Sequence, residues 1–165
     1  MADAHDKLWE LIDGNRYCMM VTEGDPVSGE AKMHARPMQA IPERGDNRIW
    51  FFTRLNSGKT EDLKRDGIVC VAFSDPSKGD YVSVTGHAEL SQDRDKIKEH
   101  WNTFVDAWFP EGPDGEDVGL IKVVLESGEY WENPSSGLIT AAKTAIASKQ
   151  DKLPNMGEHE KVSFR

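Results

Sequence analysis

The run Tyr81-Val82-Ser83-Val84-Thr85-Gly86-His87-Ala88-Glu89-Leu90 constrains this chain more than any other. Apolar and polar residues alternate through it, the period of a strand with one buried face. Gly86 interrupts the middle, where a β-branched residue would otherwise fit, and predicts a bend of the kind that barrel corners need. Shorter runs of the same type surround it. Tyr17–Thr22, Ala31–Ile41, Ile49–Thr53 and Ile68–Phe73 read as strands, as do Gly119–Ser127 and Glu129–Glu132, joined by a turn at Ser127-Gly128. Pro37 within the second run marks a bulge or an edge strand. The separators are turn-formers: Glu23-Gly24-Asp25-Pro26, Arg44-Gly45-Asp46-Asn47, and Asp75 to Asp80.

Helical periodicity is confined to short stretches. Leu8, Trp9, Leu11 and Ile12 predict an amphipathic helix over Asp3–Asp13. Ser57–Arg65 predicts a second, ended by Asp66-Gly67. Asp93–Trp108, with Ile97, Trp101, Phe104 and Val105 on one face, predicts a third. Six or seven short strands with few helices favour a barrel.

Between the second strand and the second helix lies a concentration of anion-binding chemistry. Arg36, Pro37 and Met38 sit on one strand, and Arg48 to Arg54 form the next. Asn56-Ser57-Gly58-Lys59-Thr60 opens a helix. A helix start presents free N–H groups and a positive dipole end. Ser57 adds a hydroxyl, Gly58 permits close approach, Lys59 adds a point charge, and Arg36 offers a bidentate fork. The spacing is not that of a Walker loop, so nucleotide hydrolysis is not implied. A phosphate carried by another cofactor is. Ser57 as a helix N-cap is a sufficient structural reason for its type; Arg36 and Lys59 beside it argue for the ligand.

The composition bounds the partners. Twenty basic residues against 29 acidic ones give a net charge of −9, which argues against nucleic acid and anionic membranes. No apolar run reaches transmembrane length, and the expected location is cytoplasmic. Cys18 and Cys70 lie inside apolar runs and read as buried thiols rather than a disulfide. No Cys/His spacing suggests a metal. Asp114, Glu116 and Asp117 lack the ligand spacing of a calcium loop and read as a solvated acidic turn.

The phosphate-type cluster resembles that of the flavin-binding split-barrel family typified by pyridoxine 5′-phosphate oxidase, and in particular its general stress protein branch. The similarity runs over roughly residues 3–133. Arg36 and Met38 match the family's arginine strand, and Phe52-Thr53-Arg54-Leu55-Asn56-Ser57-Gly58-Lys59 its aromatic-Thr-x-x-x-Ser-x-Lys stretch. Glu129-Tyr130-Trp131 matches a late stretch that reaches the partner subunit's flavin.

The resemblance implies a mainly β fold: a six-stranded antiparallel split barrel with peripheral helices, paired as a homodimer. The cofactor it implies is FMN, touched by Arg36, Pro37, Met38, Phe52, Thr53, Ser57, Gly58, Lys59, Trp108 and Trp131. Haem on the same barrel would ask for an axial histidine, such as His34 or His87. Deazaflavin would ask for more basic residues.

The substrate half of the oxidase pattern is absent. The slot of a second phosphate-site arginine holds Gly58, the position of a basic substrate grip falls near Ile41, and no Arg-x-His follows Trp131. Pyridoxine phosphate oxidation is therefore not expected, and no residue stands out as a general acid or base. The reading that follows is a general-stress-type flavoprotein, an FMN-dependent oxidoreductase of unassigned substrate. The alternative is a non-catalytic FMN-binding protein acting as a flavin store, sensor or scavenger.

Residues 1–133 form the expected FMN-binding domain and 134–165 a C-terminal extension. Leu138–Lys149 has the composition of a short helix. Gln150–Arg165 is polar and reads as a mobile tail, in which Lys161-Val162-Ser163-Phe164 has the pattern of a strand whose docking the sequence leaves open.

Overall fold

The computed structural model describes residues 3–24, 33–133, 145–146 and 157–165. Among the described residues, α1 (Ala4–Gly14), α2 (Gly58–Arg65), α3 (Arg94–His100) and α4 (Thr103–Trp108) surround one antiparallel sheet. Its strands are β1 (Tyr17–Glu23), β2 (Met33–Gln39), β3 (Ile41–Glu43), β4 (Arg48–Arg54), β5 (Ile68–Asp75), β6 (Asp80–Ser91), β7 (Val118–Glu132) and β8 (Glu158–Ser163). The order is β2-β1-β5-β6-β7-β4-β3, with β8 also on β7.

This is the expected split barrel, with eight strands among the described residues against the six expected. The difference has two sources. First, β2 and β3 are one run of chain parted at Ala40, whose N–H bonds back to the Arg16 carbonyl at 2.7 Å. Before that residue the run pairs with β1, and after it with β4. The sheet thus curls until its two ends belong to the same segment, and the gap between β2 and β4 is the split. Second, β8 pairs with the Ser127–Glu132 half of β7, while β4 pairs with the Val118–Val124 half.

Inward positions build the main core. Met20, Ile49, Phe51, Val69, Val71, Val84, Ile121 and Val123 are fully or almost fully buried, together with Leu8, Trp9 and Ile12 of α1. Burial of side chains of this size contributes about 1.5–3 kcal/mol each. Asp3 caps α1 by accepting from the Asp6 N–H at 2.8 Å. A smaller core of Trp50, Ile97, Val105, Phe109, Val118 and Leu120, with Phe52 and Trp101 packed against it, lies beneath α3 and α4.

Three expectations are corrected. The single helix over Asp93–Trp108 is two, because Trp101 is extended (φ −64°, ψ 135°) and Asn102 restarts the chain as an N-cap. Its side-chain oxygen accepts from the N–H groups of Phe104 (2.9 Å) and Val105 (3.1 Å). The turn expected at Ser127-Gly128 does not exist, and β7 runs unbroken for 15 residues. Gly128 is a packing glycine: a Cβ there would lie 2.9 Å from both Leu8 Cδ1 and Val84 Cγ1. Finally, Glu158–Ser163 of the supposed mobile tail is a strand, with Val162 buried and Phe164 against the rings of His5 and Trp9. The helix expected over Leu138–Lys149 lies outside the described residues apart from Ala145–Ile146. The bend at Gly86 is present as a register shift between Thr85 and Gly86.

Candidate functional site

The split holds a cavity of about 590 Å³, within the range of roughly 300–1,000 Å³ typical of small-molecule sites. The β1–β2 side supplies Arg16, Tyr17, Cys18, Pro37, Met38, Gln39, Ala40 and Ile41. The opposite side supplies Phe52, Thr53 and Arg54 of β4, Lys59 of α2, and Asn102, Phe104, Val105, Trp108 and Phe109 around α4. Ala40 matters here because the change of partner at that residue leaves β2 and β4 unpaired, and the cavity is the consequence.

The α4 wall is aromatic and tightly packed at its base. The Phe52 ring lies edge-on to Trp101 at 5.7 Å, and Phe109 is 6.1 Å from Phe52 and 6.3 Å from Trp101. At the mouth, Phe104 and Trp108 remain 45% and 66% exposed, and Tyr17 64%. Exposed aromatic side chains around a concave, mainly apolar surface suit a flat ligand.

No Asp or Glu lines this cavity among the described residues, although the chain has 29 of them, while Arg16, Arg54 and Lys59 do. These cations are not equivalent. Arg54 is spent on the protein: it bonds Glu111 at 2.6 Å and the Trp108 carbonyl at 3.0 Å, faces Asp117 at 3.6 Å, and lies over the Phe109 ring at 5.0 Å. Arg16 is half-exposed and faces Asp13 at 3.6 Å. Lys59 makes no hydrogen bond or ion pair among the described residues. Burial, and secondarily the charge of Arg36, pulls its ammonium below the ordinary value of 10.5. A half-desolvated cation without a counter-ion is chemistry that favours an anionic ligand.

The start of α2, where Lys59 sits, is held firmly. The Ser57 N–H donates to Thr60 Oγ1 at 3.1 Å, and that hydroxyl donates to the Leu55 carbonyl at 2.6 Å. Asp117 receives the Asn56 N–H at 2.8 Å. The acidic loop foreseen as solvated therefore pins the β4–α2 connection. Gly58 opens the helix with free space where a Cβ would be.

Behind Lys59 lies a cluster the sequence did not reveal. Asp62 of α2, 6% exposed, receives hydrogen bonds from Thr22 Oγ1 (3.1 Å), Arg36 Nη2 (3.4 Å) and Arg65 Nη2 (2.8 Å), and faces His34 Nδ1 at 3.4 Å. Burial alone would raise its carboxyl. The bonds from Thr22, Arg65, His34 and Arg36 outweigh that and hold it below the usual carboxylate value. Arg36 also donates to Thr22 Oγ1 at 2.7 Å. It is not part of the cavity wall.

Of the residues selected from sequence, the cavity thus gathers Pro37, Met38, Phe52, Thr53, Lys59 and Trp108. Ser57 and Gly58 adjoin it at the α2 start, and Arg36 stands behind it. Trp131 is elsewhere, on the far half of β7, stacked on His159. Neither His34 nor His87 lines the cavity, which removes the axial ligands haem would need there. Arg16, Tyr17, Gln39 and Asn102 were missed, because only the curl of the sheet brings them to the split. The group Asp3, His5 and Asp6 is close enough to hold an ion. Each member is already used within the protein: Asp3 caps α1, His5 meets Asn47 at 3.0 Å, and Asp6 pairs with Arg44.

The family model for pyridoxamine 5′-phosphate oxidase-like proteins matches residues 3–155. The chain belongs to that family. It is 30% identical to protein bli-3 of Neurospora crassa, over 96% of this chain and 81% of that one. Among solved structures, a candidate general stress protein 26 from Jannaschia sp. CCS1 is 28% identical, matches 99% of this chain and all of its own, and superposes with a TM-score of 0.73. The general stress FMN/FAD-binding protein of Xanthomonas citri is 28% identical over 81% of this chain and 91% of its own, with a TM-score of 0.67. The fold and the family read from the sequence both hold. Among the described residues, no helix is long and apolar enough to cross a membrane.

Proposed function

We propose that the protein binds FMN in the split between β2 and β4 and uses it as an oxidoreductase on a small substrate. The observation that carries this is the cavity itself: apolar and aromatic walls, no acidic residue among those described, and one unpaired, partly desolvated lysine at a helix start. The residues fit the cofactor. Lys59, with Ser57 and Gly58 at the start of α2, would take the phosphate, and Thr53 the ribityl chain. Phe52, Pro37, Met38 and Trp108 would flank the ring. FMN would supply the electron transfer, and the protein contributes binding, orientation and exclusion of water.

The reading includes a homodimer. One outer face of the sheet carries Tyr17, Met19 and Val21 on β1, Ala35 and Pro37 on β2, and Ile68, Cys70 and Ala72 on β5, with Glu23 as the charge at the end of the β1 row. Tyr17, Met19 and Ile68 are 64%, 41% and 61% exposed. A mainly apolar patch beside a ligand cavity, with its charge at the rim, suits a contact between copies. The non-catalytic alternative is favoured by one feature: no carboxylate or histidine lines the cavity among the described residues, which leaves Lys59, Tyr17 and Cys18 as its titratable groups besides the arginines.

The visible spectrum of the purified protein, followed by titration with FMN and riboflavin, tests the reading. Flavin absorption bands and a preference for FMN above tenfold are expected, since charge-assisted contacts contribute about 1.5–3 kcal/mol each. Equal affinities would remove the phosphate site from the argument. Turnover of a reductant and an acceptor by the loaded dimer would separate the enzyme from a flavin store.

A further inference from the structure

We propose that the cavity has a second anion subsite, at Arg16 on its β1 side, and that this subsite takes the carboxylate of a small, flat, apolar substrate. The inference rests on the FMN reading and names the chemical class of the second ligand.

FMN carries one phosphate, and the cavity is lined by two cations that the protein leaves open to a ligand. Lys59 is the first. Arg16 is the second: its guanidinium makes no hydrogen bond among the described residues. It faces Asp13 at 3.6 Å, where both side chains are about half exposed, and Asp13 does not line the cavity. The two cations stand at opposite ends. Arg36, whose charge is felt by Lys59, pairs with Met20, whereas the Arg16 carbonyl receives the Ala40 N–H. Four residues separate these points along either strand, roughly 13 Å at about 3.3 Å per residue. A phosphate held at the start of α2 therefore leaves the Arg16 end to another ligand.

Two further donors at that end lack side-chain partners. Tyr17 and Gln39 are paired across β1 and β2, and neither the phenol nor the amide hydrogen-bonds within the described residues. Both line the cavity with Arg16. A guanidinium fork, a phenol O–H and an amide N–H suffice to satisfy the two oxygens of one carboxylate. Cys18 on the same wall does not oppose that charge. Its thiol donates to the Met38 carbonyl at 3.4 Å, and burial pushes its pKa up to about 12, so it stays neutral. Ile41 and Phe104, which the flavin reading leaves without a role, line the same cavity and suit the flat body of an aromatic acid. Tyr17 also belongs to the face proposed for the contact between copies, so the subsite lies where the cavity meets that contact.

Benzoate and benzamide are the probes, one ring with and without the charge. Each is titrated into the intact, flavin-loaded protein and followed by the change in flavin absorbance. Wild type should bind benzoate at least about fivefold more tightly than benzamide. Arg16→Gln should abolish that difference and leave the FMN-to-riboflavin ratio unchanged. Lys59→Gln should do the reverse. Asp13→Asn, which removes the carboxylate that Arg16 faces, should tighten benzoate and leave benzamide level, a gain that a merely structural Arg16 would not give. That variant decides the matter should Arg16→Gln not fold. Equal wild-type affinities for the two probes, or no benzoate binding, overturn the inference. So does an Arg16→Gln loss of FMN preference equal to that of Lys59→Gln, which would put Arg16 on the flavin phosphate. Those outcomes leave the cofactor reading standing. Equal wild-type affinities for FMN and riboflavin would overturn that reading, and the inference with it.

Discussion

Trp131 lies flat on His159: the ring centroids are 4.8 Å apart and the planes differ by 7°. The histidine comes from β8 and is itself held by Glu129, two residues before the tryptophan, at 3.0 Å. The late aromatic that the family resemblance directs toward a partner's flavin is thus braced from behind by the C-terminal strand. It remains 37% exposed on its other side.

If that exposed face meets the other subunit's flavin, Trp131→Ala should weaken FMN binding and loosen the dimer, since interface tryptophans are anchors worth roughly 2 kcal/mol or more. His159→Ala should produce a weaker version of both effects. Flavin affinity of the folded variant, together with its mass in solution, checks this. Normal affinity in an intact dimer would move the cross-subunit contact to Trp108.

Lys59 gives FMN binding a pH dependence of defined sign. Its charged form is disfavoured in the free protein, first by burial and then by Arg36. A bound phosphate favours that charged form. Affinity for FMN should therefore be full below the lowered pKa and fall as pH rises through it, beginning below 10.5. The ratio of FMN to riboflavin affinity isolates this effect, because any alkaline ionisation of the ring is common to both ligands. The same logic makes the lysine a burden to the empty protein. Lys59→Met should melt higher than wild type without flavin at neutral pH, an advantage that shrinks as the pH approaches 10.5, and it should lose the preference for FMN.

Pyridoxine 5′-phosphate and pyridoxamine 5′-phosphate should not be oxidised at rates approaching about 1 per second. Ile41, in place of a basic grip, lines the cavity directly. A coupled oxidase assay on flavin-loaded protein decides it, and a rate of ordinary enzymatic size would show that another residue, such as the cavity-lining Arg16, has taken over the grip.

Asn102→Ala should remove two backbone hydrogen bonds from the start of α4. A lost N-cap costs about 1 kcal/mol, or a fall of about 2–4 °C in Tm for a chain of this length. Because α4 carries Phe104, Val105 and Trp108 into the cavity wall, FMN affinity should fall as well. A stability loss with unchanged affinity would mean that α4 does not touch the ligand.

Strand identity was legible because alternation survives wherever one face is buried. The run Tyr81–Leu90 announced β6 and its bend at Gly86. Glycine was the weak point: Gly128 reads as a turn by composition, yet it sits mid-strand because Leu8 and Val84 leave no room for a side chain. Polar composition hid β8 for a related reason. An edge strand facing water on most sides needs few apolar residues, and here Val162 alone is buried. At the site, Lys59 and the cavity-lining residues of β2 and β4 were visible as motifs. Asp62 was not, because a carboxylate one turn into a charged helix looks like a solvated one until the sheet it faces is known.

Phe164 meets Trp9 at 6.1 Å and His5 at 5.3 Å, so an element made early is finished only by one made late. While the chain is being synthesised, α1 can find β6 and β7, but the flank beside Trp9 and the Ser127–Glu132 edge of β7 stay uncovered until residues 158–164 emerge. An exposed strand edge of that kind invites pairing with other chains. The interval between the making of β7 and of β8 is then the time at which a nascent copy of this protein is most exposed to wrong partners. A chain truncated before Glu158 would remain in that state.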